Sequence, residues 1–270
     1  MVDGGAAGGS ASGSGGWAVV TGAAGDIGQA IARRLARDHA GVILADRDGA
    51  GAARLAADWG PGFAGVAADV TDAGSVAALA ARAAELGPVR TIVNNAGGVQ
   101  AASLAASTPE SWRADTSLNL DAAYLVVAAF TDQLKATQGS VVNIASVNGF
   151  GAYGHPAYSS AKAGLIHFTR MIAVEYGRYG IRANAVAPGT VRTRAWEARA
   201  VANPQVFADA ARHYALGRIA RAEDVAEAVG FLASPLAAAI TGVCLPVDCG
   251  LTAGIPALAH TFSQSDDYRA

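Results

Sequence analysis

The chain has 270 residues, of which 52% are hydrophobic and 16% are charged, and its formal net charge is −2. This length suits one large α/β domain or two small ones, with enough apolar residues for a sizeable core. A nearly neutral chain without a basic tract does not indicate a nucleic-acid-binding protein. Because we find neither a secretory signal nor an apolar run of membrane-spanning length, we expect a cytoplasmic protein without membrane contact.

Composition also suggests how the chain is divided. Residues 1–16 are almost entirely Gly, Ala and Ser, which predicts a flexible tail without a catalytic part. We expect a single domain over residues 17–250 and a C-terminal extension over 251–270 that covers the active site or a neighbouring subunit. Cys244 and Cys249 are interpreted as core thiols on opposite faces of a strand. The five histidines show no metal-ligand spacing, so no catalytic metal is predicted.

The first predicted element is a buried strand followed by a glycine-rich turn and an amphipathic helix. Gly22, Gly25 and Gly28 let the backbone approach a pyrophosphate, and the N-terminus of the helix supplies N–H groups. Their spacing is G-x-x-G-x-x-G, which differs from the general G-x-G-x-x-G pattern. Asp26 is interpreted as the N-cap of the helix. The alternative is a structural glycine turn that binds no ligand.

The next predicted strand, GVILAD, ends at Asp46, eighteen residues after Gly28. A carboxylate at this place can accept hydrogen bonds from the ribose hydroxyls of a dinucleotide, and it repels a 2′-phosphate. Arg47 favours the opposite outcome because it could accommodate that phosphate. We therefore expect NAD as the cofactor and regard NADP as the alternative.

A strand-like run, GSVVNIA, leads into residues 146–162, where Tyr158 and Lys162 stand four apart and so share one face of a helix. A phenol normally keeps its proton to a pKa of about 10. An adjacent ammonium group lowers that pKa, so we expect Lys162 to acidify Tyr158. Lys135 is the only other lysine, against 18 arginines, which indicates that position 162 needs an ammonium group. Ser146 could donate a hydrogen bond to the oxygen that Tyr158 protonates. The alternative is an ordinary surface Tyr-x-x-x-Lys pair.

Taken together, the glycine turn, Ser146 and the segment YSSAK (Tyr158–Lys162) resemble the short-chain dehydrogenase/reductase family over about residues 15–250. The family's turn pattern is Thr-Gly-x-x-x-Gly-x-Gly, and Asp26 occupies its middle glycine position. The resemblance, with alternating predicted strands and helices, implies one α/β domain. We expect a Rossmann-type, doubly wound fold with a central parallel sheet of about seven strands. It also implies a homotetramer that acts on a small alcohol or ketone.

The resemblance further implies individual roles for residues. Asn119 would be the fourth catalytic residue beside Ser146, Tyr158 and Lys162, kinking a helix predicted over 109–136, and a substrate lid would cover about 190–216. Asn94 is expected to be structural. The implied cofactor contacts are Gly22, Gly25, Asp26, Ile27, Gly28, Asp46, Arg47, Asp69, Val70, Asn95, Ala96, Gly97, Tyr158, Lys162, Pro188, Gly189, Val191 and Thr193. The candidate substrate contacts are Gln100, Asn148, His155 and Trp196.

The predicted activity is NAD(H)-dependent interconversion of a secondary alcohol and a ketone. Cyclic alcohols, sugars or polyols, and hydroxyacyl compounds all fit the residues available. Two alternatives stay open. One is a non-catalytic or regulatory nucleotide-binding protein on the same fold. The other is an enzyme that uses bound NAD for epimerisation or elimination.

Overall fold

The structure is a computed structural model that describes residues 15–268, except for the side chains of Ala195, Ala198 and Arg199. The predicted tail over 1–16 therefore lies almost wholly outside the described residues. The described part of the chain contains no helix that is both long enough and apolar enough to cross a membrane.

In the part of the chain that the structure describes, seven strands form one sheet in the order β3-β2-β1-β4-β5-β6-β7. Every neighbouring pair is parallel. The predicted doubly wound sheet of about seven strands is thus confirmed. The strands are β1 (Trp17–Thr21), β2 (Gly41–Asp46), β3 (Phe63–Ala67), β4 (Val89–Asn94), β5 (Ser140–Ile144), β6 (Arg182–Pro188) and β7 (Cys244–Val247).

Chain order reverses at the centre of the sheet, because β1 pairs with both β2 and β4. The connections on the two sides of this point run to opposite faces, which leaves a crevice at the carboxyl ends of the strands. The helices are α1 (Asp26–Leu35), α2 (Gly49–Trp59), α3 (Ala73–Leu86), α4 (Pro109–Thr116), α5 (Ala122–Thr137), α6 (Pro156–Tyr176), α7 (Arg194–Ala202), α8 (Val206–Ala211), α9 (Ala222–Ala233) and α10 (Pro256–Ser263).

Helices cover both faces of the sheet, which explains why the strands read as nearly continuous apolar runs. On one face, α1 and α9 pack against the strands through Ile31, Leu35 and Val225. On the other face, α3 and α5 do so through Leu79 and Phe130. Burying a side chain of this size contributes about 1.5–3 kcal/mol. These two cores fix the strand ends on which the site is built.

The helix predicted over 109–136 is interrupted at its middle. Helix α4 begins after Thr108, whose hydroxyl accepts a hydrogen bond from the Ser111 N–H. A π-helical turn spans Ser117–Asp121, and α5 continues from Ala122. Such turns often occur at functional sites. The irregularity of the helix expected at Asn119 is therefore present, as a π turn.

The two cysteines pack against the core as predicted, but they do not lie on one strand. Cys244 is the first residue of β7 and is half-buried, and burial raises its pKa to about 12. Cys249 lies beyond the strand with a φ of 50°, so the two residues do not share a strand. Both are free thiols.

Candidate active site

The carboxyl ends of the central strands open onto a cleft of about 950 Å³ beside the reversal of strand order. Its walls come from the glycine turn after β1, from the chain following β2, β3 and β4, and from the beginning of α7. Most of the residues predicted to contact the cofactor line it. They are Gly22, Gly25, Asp26, Ile27, Gly28, Asp46, Arg47, Asp69, Val70, Asn95, Ala96, Gly97 and Thr193.

Three predicted cofactor residues are instead engaged in packing after β6. Pro188 is the last residue of that strand, and Val191 is buried and forms an isolated bridge with Ala220. A Cβ added to Gly189 would lie 2.9 Å from Cε1 of Tyr214, so a glycine is required there for packing. None of the three is among the residues that line the cleft. Their positions are thus accounted for by the core, and their cofactor contacts stay predictions.

The glycine turn is shaped by two close approaches. Gly22 has a φ of +64°, and a Cβ on it would lie 2.8 Å from Cα of Ala96. A Cβ on Gly28 would lie 2.3 Å from the Gly22 carbonyl oxygen. Since the first N–H groups of a helix have no partner within it, the beginning of α1 offers donors to a ligand in the cleft. The turn therefore suits a pyrophosphate.

The interpretation of Asp26 as the N-cap of α1 was wrong. Gly25 is the N-cap, and Asp26 is the first helical residue. Its carboxylate accepts hydrogen bonds from Arg194, with Oδ2 at 2.6 Å from the backbone N and Oδ1 at 2.5 Å from Nε. Arg194 also lines the cleft, and the sequence analysis missed it. Only folding brings residues 168 positions apart together, so no local pattern could reveal this pair.

Two carboxylates hold fixed positions where β2 and β3 end at the cleft. The Asp46 carboxylate accepts from the N–H groups of Ala24 and Asp48, both at 2.9 Å, which places it between the glycine turn and the start of α2. Asp69 accepts from the hydroxyl and the N–H of Thr71, and these hydrogen bonds lower the pKa of Asp69. The Asp69 side chain is therefore ionised at neutral pH.

The structure brings Ser146, Tyr158 and Lys162 together. Ser146 follows β5, and its hydroxyl lies close enough to the Tyr158 hydroxyl to act on the pKa of that phenol. Tyr158 and Lys162 lie one turn apart near the beginning of α6, with Nζ of Lys162 at 5.5 Å from the centroid of the Tyr158 ring. The Ser146 oxygen also accepts from the Asn148 N–H at 3.2 Å. Two hydroxyls thus converge at one point beside a buried cation.

The expectation that Lys162 acidifies Tyr158 is contradicted. Burial raises the pKa of Tyr158, and the hydrogen bond from Ser146 opposes that effect only in part. Nζ of Lys162 donates to the Ile144 carbonyl at 2.8 Å, and burial lowers the pKa of this lysine to about 8. The Tyr-x-x-x-Lys spacing predicts the neighbours correctly. The depth of both side chains, which sets the direction of the shifts, is a property of the fold.

Asn119 is buried in the π turn, and both its amide nitrogen and its amide oxygen form hydrogen bonds. Its Nδ2 donates to the carbonyls of Gly98 (2.8 Å) and Asp115 (2.9 Å), and its Oδ1 accepts from the Gly98 N–H at 3.3 Å. A Cβ on Gly97 would lie 2.9 Å from that Oδ1 and 3.5 Å from Nζ of Lys162. Gly97 lines the cleft, so Asn119 and Lys162 lie directly behind this part of its wall. The predicted part of Asn119 in catalysis stays a prediction.

Asn94 is a structural residue in its contacts, as expected. Its Nδ2 donates to Oδ1 of Asn143 at 2.8 Å, and Nδ2 of Asn143 donates to Thr169 at 2.9 Å. This buried chain of side chains links β4, β5 and α6. It therefore helps to hold α6, and with it Tyr158, against the sheet.

The four candidate substrate residues are placed differently. Gln100 lines the cleft. Nδ2 of Asn148 donates to the Gly154 carbonyl, and Nδ1 of His155 lies 3.1 Å from the Ala101 carbonyl, so both side chains brace the loop before α6. The Trp196 ring lies 6.5 Å from the Phe207 ring, between the two helices of the expected lid region. No substrate contact is established for any of the four.

The chain is similar to known proteins over most of its length. A family model described as enoyl-(acyl carrier protein) reductase matches residues 22–252. The chain is 42% identical to the cis-4-hydroxycyclohexanecarboxylate dehydrogenase of Sinomonas cyclohexanicum, over 87% of this chain and 96% of that protein. It is 39% identical to the inactive 2-(S)-hydroxypropyl-CoM dehydrogenase 2 of Xanthobacter autotrophicus, over 83% and 100%. A crystal structure of a Burkholderia thailandensis oxidoreductase matches with a TM-score of 0.87 at 46% identity, covering 93% of this chain and 98% of the other.

The fold, the cleft and these similarities define an oxidoreductase that acts on CH–OH groups. The chain belongs to the short-chain dehydrogenase/reductase family, as its sequence motifs predicted. Members of this family bind nicotinamide cofactors. The residues around the cleft fit such a group, because glycines form the pyrophosphate turn and Asp46 stands where a ribose would lie.

Proposed function

We propose that the protein is an NAD(H)-dependent dehydrogenase that interconverts a secondary alcohol and a ketone. The observation that carries this proposal is the grouping of Ser146, Tyr158 and the buried Lys162, with Nζ of Lys162 directly behind Gly97 on the wall of the dinucleotide-sized cleft. An acid/base group and a hydrogen-bond donor then face the same substrate oxygen.

The chain's own residues bind the substrate oxygen and move its proton. In the reduction direction, the protonated Tyr158 hydroxyl donates its proton to the ketone oxygen, and the Ser146 hydroxyl holds the same oxygen in place. In the oxidation direction, Tyr158 first releases its proton to solvent, and the resulting phenolate removes the proton of the substrate hydroxyl. When bound, the nicotinamide ring would take up hydride from the carbinol carbon and return it in the reverse direction. Lys162 and Asn119 lie behind Gly97, where they would hold the nicotinamide ribose and support the path of the proton.

NAD is proposed rather than NADP because of Asp46. Its carboxylate is fixed by two backbone N–H groups at the end of β2 and faces the part of the cleft suited to an adenosine ribose. A 2′-phosphate there would meet a negative charge that cannot turn away. Arg47, which also lines the cleft, weakens this discrimination without removing it.

The substrate is proposed to be a secondary alcohol on a ring or a polyol chain. The similarity to the dehydrogenase named for cis-4-hydroxycyclohexanecarboxylate supports a ring-bearing alcohol. The similarity to a galactitol 2-dehydrogenase of Cereibacter sphaeroides, at 35% identity, supports a polyol. Gln100 on the cleft wall could bind a further hydroxyl of either kind.

The test is a panel of cyclic alcohols and polyols with NAD, with accumulation of NADH as the readout. Tyr158→Phe is expected to lower kcat at least about 100-fold, because it removes the acid/base group, while the Kd for NAD stays within about twofold. The matched control is Tyr153→Phe, because Tyr153 is an exposed tyrosine in the loop before α6.

Three results would contradict the proposal or the role it gives to Tyr158. If no alcohol in the panel yields NADH with the wild type, the protein is a nucleotide-binding protein without this activity. If a substrate is consumed while the redox state of the cofactor is unchanged, the enzyme carries out epimerisation or elimination. Equal loss of turnover and of NAD binding in Tyr158→Phe would show that Tyr158 is structural.

A further inference from the structure

The contact between Asp26 and Arg194 joins two functional parts of the molecule. Asp26 belongs to the glycine turn that shapes the pyrophosphate end of the cleft, and Arg194 is the first residue of α7. Two hydrogen bonds connect Arg194 to the Asp26 carboxylate, and a third runs from the guanidinium to the Ala24 carbonyl at 3.1 Å. Both residues line the cleft. The turn and the beginning of α7 are therefore tied together.

The Asp26 carboxylate lies between the N-termini of two helices. It is in the first turn of α1, and its Oδ2 accepts from the backbone N of Arg194, where α7 begins. Negative charge is favourable at both places because each helix N-terminus carries a partial positive charge. The same carboxylate thus fixes the orientation of α7 relative to the turn.

The charge of Asp26 is unusual for a turn that receives a pyrophosphate. Glycine turns of this kind bind phosphate through backbone N–H groups, and a carboxylate on the wall of the same cleft repels a phosphate. Nε of the Arg194 guanidinium donates to Oδ1 of Asp26, and the backbone N–H of Arg194 donates to Oδ2. The guanidinium therefore cancels the negative charge at the place where a pyrophosphate would add two more.

We propose that Arg194 is a cofactor-binding residue that acts as the counterion of Asp26, so that binding of a nucleotide diphosphate depends on the intact pair. The proposal rests on the proposed function, because it assumes that the cleft binds a dinucleotide. It makes α7, and not only the glycine turn, part of the pyrophosphate site.

The test measures binding of ADP-ribose and of adenosine by calorimetry. Arg194→Gln is expected to raise the Kd for ADP-ribose at least about fivefold, because it exposes the Asp26 charge to the diphosphate. The Kd for adenosine, which lacks phosphate, is expected to stay within about twofold. Adding Asp26→Asn to Arg194→Gln is expected to restore ADP-ribose binding to within about twofold of Asp26→Asn alone, because the unpaired charge is then gone.

The matched control is Arg192→Gln, which breaks a comparable exposed ion pair with Glu197 in the same region, at 2.6 Å. It is expected to leave both Kd values unchanged. If the wild type binds no ADP-ribose, the proposed function fails. If the wild type binds it and Arg194→Gln binds it equally, or if adenosine binding weakens to the same extent, the role of Arg194 is overturned. A double variant as weak as Arg194→Gln would overturn the part of Asp26.

Discussion

Lys162 shows most directly how the surroundings of a residue decide its chemistry. Its ammonium group is buried, hydrogen-bonded to the Ile144 carbonyl, and has a pKa lowered to about 8 from 10.5. The folded protein therefore holds a proton on this group less tightly than the unfolded chain does. The chain keeps a destabilising residue at the site, as expected where function requires a buried charge.

This shift predicts a pH dependence of stability. Below about pH 8 both states are protonated and the cost of burying the charge is fully present. Between about pH 8 and 10.5 the unfolded state binds more protons, so stability rises with pH by about 2 kcal/mol up to about pH 10. Lys162→Met is expected to lack this rise. The measurement is the free energy of unfolding in urea for both proteins at several pH values.

The control for that measurement is Lys135→Met, which removes the other lysine and is expected to keep the rise. Lys135 is only partly buried, beside the rings of Tyr176 and Tyr179. Identical pH profiles for wild type and Lys162→Met would show that the ammonium group is not desolvated as the geometry implies.

At the scale of elements, sequence patterns predicted which strands and helices exist better than they predicted where each one begins and ends. Apolar runs and glycine turns located the strands correctly, because parallel strands covered on both faces must be apolar throughout. The interrupted helix over 109–136 was expected from family resemblance alone, since no periodicity marks a π turn. The N-cap of α1 was misassigned because a tertiary contact with Arg194 claims the Asp26 carboxylate.

The glycine turn supplies a prediction at this scale. Gly28→Ala places a methyl group 2.3 Å from the Gly22 carbonyl oxygen, so the turn must open. We expect a loss of about 1–3 kcal/mol in the free energy of unfolding. We also expect NAD binding to weaken at least about tenfold, because displaced N–H groups no longer meet a pyrophosphate. Chemical denaturation and calorimetry measure the two effects.

Gly177→Ala serves as the comparison for that substitution. Gly177 follows α6 with a φ of −55°, and a Cβ on it would meet nothing within 4 Å. It is expected to keep both stability and NAD binding. If Gly28→Ala kept the stability and the NAD binding of Gly177→Ala, the turn would accommodate a methyl group and the steric argument would be wrong.

At the scale of the whole molecule, the sheet order determines what the cleft can select. The reversal between β1 and β4 places Asp46, from the end of β2, opposite the chain that follows β4. Alternating strands and helices were enough to predict this architecture, because right-handed parallel connections leave few arrangements. The lining of the cleft by Arg194 could not be predicted, because it depends on where a distant loop packs.

The preference for NAD over NADP leads to a prediction about the thermal stability of the whole molecule. A ligand present at about 100 times its Kd stabilises the folded state by about 3 kcal/mol. At one fixed concentration, NAD is therefore expected to raise the Tm more than NADP does, because the Asp46 carboxylate weakens binding of the 2′-phosphate. Asp46→Ala is expected to reduce or reverse that difference. Asp48→Ala, at the neighbouring cap of α2, is the control.

An equal rise in Tm with both cofactors in the wild type would contradict the assignment of NAD. A larger rise with NADP would do so as well and would assign the decisive role to Arg47.

Gly97 determines whether the side chains of Asn119 and Lys162 can approach a nucleotide bound in the cleft. On one side of it is the dinucleotide-sized cleft, and on the other are the side chains of Asn119 and Lys162, 2.9 and 3.5 Å from where a Cβ would stand. Only the backbone of Gly97, which has no side chain, separates the cleft from these two side chains. A single methyl group at this residue would lie between the cleft and the side chains of Asn119 and Lys162. It would block their approach to a bound nucleotide.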